Sequence, residues 1–259
     1  MPYVEILETP LAPGRSPVEL YYRETGRGAP LLVLHGGWGY EFYPFDHQIA
    51  ALADTHRIVI PDRTGYGKSP RVAAFPSGFH EAAAIEAERF LDALDIERCA
   101  IWGHSDGAVI AVRMALRAPD RYTKLLLEAL HVDHVKPSSR GFFEMMASEP
   151  DGFGERVTSR LAAEHGDDWR TVIAADGRVW LGLAEGEDLF DGRLPELRVR
   201  TLVVHGDRDP RTEPDELDRL PRDVPHADIR MVPGAAHSPH SERASAALVT
   251  ELASAFLAE

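Results

Sequence analysis

Short apolar runs recur along the chain at residues 18–23, 31–34, 58–60, 99–102, 124–130, 201–205 and 229–232. Their length and their content of Val, Ile and Leu fit buried strands rather than helices. Stretches with helical spacing of apolar positions lie among them at 45–52, 81–94, 108–117 and 241–257. Strands alternating with helices predict an α/β fold: a doubly wound, mostly parallel sheet with helices on both faces. Between residues 130 and 200 the alternation stops. Helical patterns at 141–148, 155–164 and 169–183 are interrupted there by Pro150-Asp151-Gly152, His165-Gly166 and Gly186. This segment reads as a helical lid above the carboxyl ends of the strands, where open α/β sheets bind ligands. The expected organisation is a core of residues 1–130 and 198–259, with a helical cap of residues 131–197 inserted in it.

Chemistry-bearing residues cluster at the predicted strand ends. Gly103-His104-Ser105-Asp106-Gly107 joins the run at 99–102 to the helix at 108–117. A serine on a strained strand-to-helix turn needs small flanking residues, because a Cβ there collides with strand or helix. Downstream, Gly206-Asp207-Arg208-Asp209 follows one strand and Pro233-Gly234-Ala235-Ala236-His237 follows another. Ser, Asp and His thus occur in the chain order that a nucleophile elbow uses. Upstream, His35-Gly36-Gly37-Trp38-Gly39 offers bare backbone amides suited to a developing oxyanion.

With Asp62-Arg63-Thr64-Gly65-Tyr66-Gly67-Lys68-Ser69 added, the chain resembles the α/β-hydrolase family over nearly its whole length. Within it the Ser105-Asp106 elbow and the layout are most similar to the carboxylesterase-type members related to valacyclovir hydrolase. The resemblance implies a lid inserted after strand six of the family's count, a Ser105 nucleophile and a His237 base. The acid is expected at Asp209, the second carboxylate of Gly-Asp-x-Asp. Asp207 is then a turn-former, and Glu128 is an alternative acid because some family members take it from that strand. The oxyanion donors are expected to be the backbone amides of Asp106 and of Gly37 or Trp38. The expected activity is that of a serine esterase on small carboxylic esters, and the same residues suit a lactone, an amide or a carbon–carbon bond. A non-catalytic ligand-binding protein on the same fold is the alternative of another class.

Charge and composition narrow the partners. With 28 Lys and Arg against 42 Asp and Glu, the net charge is −14, which disfavours nucleic acid and anionic membrane surfaces. Residues 131–197 hold fourteen acidic against seven basic residues, a net of −7. The Asp106 carboxylate reads either as a cap on the helix that follows it or, beneath that acidic segment and with Trp38 on the substrate-binding wall, as a selector of positively charged substrates such as amino-acid esters. No phosphate loop or dinucleotide fingerprint occurs, so no cofactor is implied. His131/His134 and His237/His240, with Asp133, have ligand-like spacing, but no second cluster accompanies them and no metal is expected. Cys99 is the only cysteine, which excludes an intrachain disulfide, and its place in a strand marks it as a small buried residue. The first residues lack a basic region followed by an apolar run, and no stretch reaches the roughly 18 apolar residues of a membrane span. A soluble cytoplasmic protein acting on a small-molecule ester is the expectation, with a homodimer compatible but not required.

Overall fold

The computed structural model describes residues 2–186 and 188–259. Eight strands form one sheet: β1 (Tyr3–Ile6), β2 (Val18–Gly26), β3 (Ala29–Leu34), β4 (His56–Pro61), β5 (Cys99–His104), β6 (Tyr122–Glu128), β7 (Thr201–Gly206) and β8 (Asp228–Val232), in the order β1-β2-β4-β3-β5-β6-β7-β8. The pairs β1–β2 and β2–β4 are antiparallel and the rest parallel. Alternate residues of the central strands feed two apolar layers. Leu32, Leu34, Ile101, Leu125, Leu127 and Val203 pack with α2 (Phe79–Ala93) and α3 (Asp106–Arg117). Leu31, Val33, Ala100, Trp102, Leu126 and Val204 pack with α1 (Asp46–Leu52) and α8 (Ala246–Ala258). Burial on both faces is why these strands read as continuous apolar runs rather than as alternating ones.

Boundaries departed from the sequence reading where tertiary bonds decide. β6 stops at Glu128, because Ala129 adopts φ 51° and turns the chain out of the sheet. α8 begins at Ala246 rather than at residue 241, since residues 238–245 form turns in which Ser245 Oγ donates to the carbonyl of Pro239 at 2.7 Å. The edge strand β1 and the helix α7 (Pro214–Asp223) had no counterpart in the apolar pattern. β1 is only four residues long and mostly exposed. α7 is largely polar and contains Pro221, and it is held instead by a capping box between Glu213 and Glu216.

Between β6 and β7 the chain makes three helices, α4 (Arg140–Ser148), α5 (Glu155–His165) and α6 (Trp169–Leu183). Buried polar side chains tie this segment to the core. Lys136 forms an ion pair with Glu216, which also accepts the backbone N–H groups of Val132 and Asp133, each at 2.9 Å. At the end of α5, His165 Nδ1 accepts the N–H of Gly67 at 3.0 Å, and its Nε2–H donates to the Trp38 carbonyl at 3.1 Å. One ring thus clasps the loops that follow β3 and β4. This pairing requires a neutral imidazole, and burial, first among the causes, lowers the His165 pKa to about 3.

A folded-state pKa below that of a free imidazole means that the clasp contributes fully above about pH 6.5 and is lost as pH falls toward 3. The stability advantage of wild type over His165→Gln should therefore shrink by about 1.4 kcal/mol per pH unit below about pH 6.5. Urea unfolding of both proteins between pH 7 and pH 5 measures it. A difference that stays constant over that range would show that His165 does not titrate through the clasp.

Candidate active site

Ser105 sits between β5 and α3 with φ 54° and ψ −118°. The chain turns so sharply that a Cβ on Gly103 would lie 2.2 Å from the carbonyl oxygen of Gly107, and one on Gly107 would lie 2.1 Å from that of Leu34. Both glycines are therefore steric requirements of the turn. Opposite the serine hydroxyl is the loop after β8, where His237 Nε2 lies 3.0 Å from Ser105 Oγ. His237 Nδ1 in turn lies 2.8 Å from Asp209 Oδ2, on the loop after β7.

Asp209 is enclosed by donors. His205 Nε2 lies 3.2 Å from the same Oδ2, and the backbone N–H of Arg211 donates to Oδ1 at 2.8 Å. Burial alone would raise its pKa, but His237 and His205 outweigh it and hold the carboxyl far below the usual range. Asp207 lies outside this network and accepts the N–H of Gly234 at 2.7 Å. Glu128 does not approach His237. Its Oε1 accepts both the backbone N–H and the Nδ1–H of His240, at 2.9 and 2.8 Å. With Glu242, which accepts the amides of Ala236 and Ser238, Glu128 fixes the loop that presents His237. His104, Glu128 and His240 are also the described residues whose ligand-type atoms converge closely enough to share an ion. The His131/His134 pair does not join them.

The loop after β3 runs beside the serine. Buried Arg63 donates to the carbonyl oxygens of His35 and Gly36, so these carbonyls point at the guanidinium. Among the described residues, no acceptor takes the N–H of Gly37, Trp38 or Asp106. The Asp106 side chain has a different setting from the one expected. Its carboxylate is 1% exposed, bonded to His80 Nε2 at 2.8 Å, and does not line the cavity. Burial would raise its pKa, yet His80 outweighs that and holds it low. A cation-selecting Asp106 thus has no free carboxylate facing the substrate. The acids on the wall are Glu242 and Asp176 of α6, the latter accepting the Tyr66 hydroxyl at 2.9 Å. Burial, followed by the neighbouring Asp106, raises the Asp176 pKa well above its ordinary value.

These groups meet at a cavity of about 270 Å³ walled by Trp38, Phe142, Phe143, Met146 and Trp180. Trp38 stacks on Phe142 at 5.5 Å between centroids, so the loop after β3 and helix α4 share one apolar wall. His131 also reaches the serine: its Nε2 is 3.5 Å from Ser105 Oγ, and its ring lies 5.5 Å from that of His237 at 22°. His131, Asp176 and Arg211 went unmarked as site residues in the sequence. Their only sequence signal is position, at a strand end, on a cap helix and two residues past a strand-end acid.

A serine hydroxyl beside an imidazole oriented by a carboxylate can be deprotonated as it attacks an electrophilic carbon, and the free amides can receive the resulting oxyanion. Asp209→Asn should accordingly lower kcat by roughly 10⁴ with the fold intact. Asp207→Asn should cost far less activity and show its effect in thermal stability. Steady-state kinetics and melting curves on the two variants check this, and the reverse ranking would transfer the acid to Asp207.

The sequence model of the alpha/beta hydrolase family matches residues 31–251. The human serine hydrolase BPHL is 27% identical over 232 residues, covering 86% of this chain and 78% of BPHL. A 2-hydroxy-6-oxononadienedioate/2-hydroxy-6-oxononatrienedioate hydrolase of Paraburkholderia xenovorans is 29% identical, covering 86% of each chain. Among solved structures, a thermophilic esterase from Thermogutta terrifontis superposes with a TM-score of 0.76 at 25% identity, covering 98% of this chain and 97% of the esterase. The nucleophile-elbow turn, the sheet order and these similarities agree: the chain belongs to the alpha/beta hydrolase family.

Proposed function

We propose that this hydrolase cleaves small carboxylic esters through an acyl-enzyme on Ser105. The observation that carries the reading is the run of short contacts from Ser105 Oγ through His237 to Asp209, opening on an apolar cavity beside free backbone amides. In this reading His237 accepts the Ser105 proton as Oγ attacks the acyl carbonyl, and Asp209 orients the imidazole and offsets its charge. The amides of Asp106 and of Gly37 or Trp38 hold the oxyanion. His237 returns the proton to the departing alkoxide, then takes one from a water that attacks the acyl-enzyme. The carboxylic acid leaves and Ser105 is regenerated. Residues 131–197 act as the lid over this step. A volume at the low end of small-molecule pockets, roughly 300–1,000 Å³, supports small substrates, and the similarity to a thermophilic esterase and to a serine hydrolase supports the bond type.

Wild type should be labelled covalently by a fluorophosphonate probe and Ser105→Ala should not. Ser105→Ala and His237→Ala should each lower kcat on nitrophenyl esters by about 10⁴ or more with little change in melting temperature. Either variant retaining a tenth of the activity would remove the proposed roles. A lactone and amide panel run beside the esters fixes the bond class.

A further inference from the structure

The charges around the cavity are unequally matched. Asp106 is bonded to His80, Asp176 accepts the Tyr66 hydroxyl, and Glu242 accepts the backbone amides of Ala236 and Ser238. Asp209 has its two oxygens occupied by His237, His205 and the backbone of Arg211. Arg211 itself is different. It lines the cavity, it is only partly exposed, and among the described residues its guanidinium forms no side-chain hydrogen bond and no ion pair. It lies over the Phe142 ring, 3.2 Å from the centroid. Stacking on the face of a guanidinium leaves the N–H donors around its edge free. Burial lowers its pKa, yet an arginine stays protonated at any physiological pH. Asp209 and Tyr43 act on Arg211 only through space, and a half-buried guanidinium with no direct partner gains from a group that takes its edge donors.

We propose that Arg211 completes itself with the substrate: the cavity takes esters bearing a free carboxylate, which pairs with the Arg211 guanidinium while Ser105 attacks the ester carbonyl. The proposal rests on the esterase reading above and adds the substrate class to it. Carboxylate geometry suits the case, since two oxygens match two parallel N–H groups of the guanidinium edge. Loop position also favours the arrangement. Arg211 follows the triad acid by two residues, and Phe142, on cap helix α4, fixes its plane across the cavity mouth. The sign is opposite to that expected from the net charge of −14 and the acidic cap. Among the described acids of residues 131–197 only Glu164 and Asp176 are buried, and neither forms an ion pair with Arg211, whose edge donors are left for a ligand.

The test uses two pairs of neutral and anionic isosteres. Hydrogen methyl adipate and its primary amide differ in charge on the acyl side, and acetoxyacetate and acetoxyacetamide differ on the alcohol side. In wild type, kcat/KM should favour the carboxylate by about tenfold or more in at least one pair, the scale of one well-formed charged contact. Arg211→Met, which keeps the packing on Phe142 but removes the charge, should bring that ratio near one, the acid losing more turnover than the amide. Arg211→Lys should recover part of the preference. No preference in either wild-type pair, a preference that survives in Arg211→Met, or an equal fall for acid and amide would overturn the proposal; the last outcome would make Arg211 a packing residue. Calorimetric binding of adipate to Ser105→Ala, and its loss on adding Arg211→Met, reads the same contact without chemistry. Arg211-dependent binding with no ester turnover would therefore refute the esterase reading alone, and turnover without Arg211 dependence would refute this proposal alone.

Discussion

The left-handed turn at Ser105 is the constraint around which the rest of the molecule is arranged. A side chain at φ 54° is strained, and the strain persists only because β5 and α3 are packed into the two apolar layers on either side. The approach of Gly103 and Gly107 to neighbouring carbonyls allows the helix to start directly against the sheet. That closeness aims the Ser105 hydroxyl out of the sheet and leaves the Asp106 amide without an acceptor. The exposed hydroxyl and the free amide, which carry the proposed nucleophile and oxyanion-donor roles, are thus consequences of one backbone turn.

The second requirement is that loops from distant parts of the chain meet this turn within hydrogen-bonding distance. Buried polar groups achieve it. Glu128, at the end of β6, holds the His240 backbone and ring, and His104, at the end of β5, meets Ser238 Oγ at 3.0 Å. The His237 loop is therefore pinned from two strands of the sheet that also position the serine. Arg63 performs the same task for the loop after β3. Each of these side chains is buried and would be destabilising without its partners, which makes loop placement and fold stability interdependent.

The helices between β6 and β7 add to the apolar wall and change the electrostatics. Burial of Asp176, and then the Asp106 carboxylate beside it, raises the Asp176 pKa. The Asp106 carboxylate is bonded to His80 and does not line the cavity, and Arg211 lies on Phe142 with no ion pair among the described residues. The field a substrate meets is set by which charges are paired, and the formal total carries little information about it.

From the sequence alone came the alternating elements, the inserted helical segment, the Gly-x-Ser-x-Gly elbow and the order Ser105, Asp209, His237, because each is a local pattern tied to local backbone geometry. Strand β1 and helix α7 escaped, the former being short and exposed, the latter resting on a capping box and on Glu216 contacts with residues about 80 positions away. The cavity's chemistry escaped for the same reason. Nothing in the local pattern around Asp106 indicates that His80 and Asp176 meet it, and nothing around Arg211 indicates that it finds no carboxylate. Pairing of buried charges depends on which distant elements the fold packs together, so local geometry was legible in the chain while the electrostatics of the site was decided by the tertiary structure.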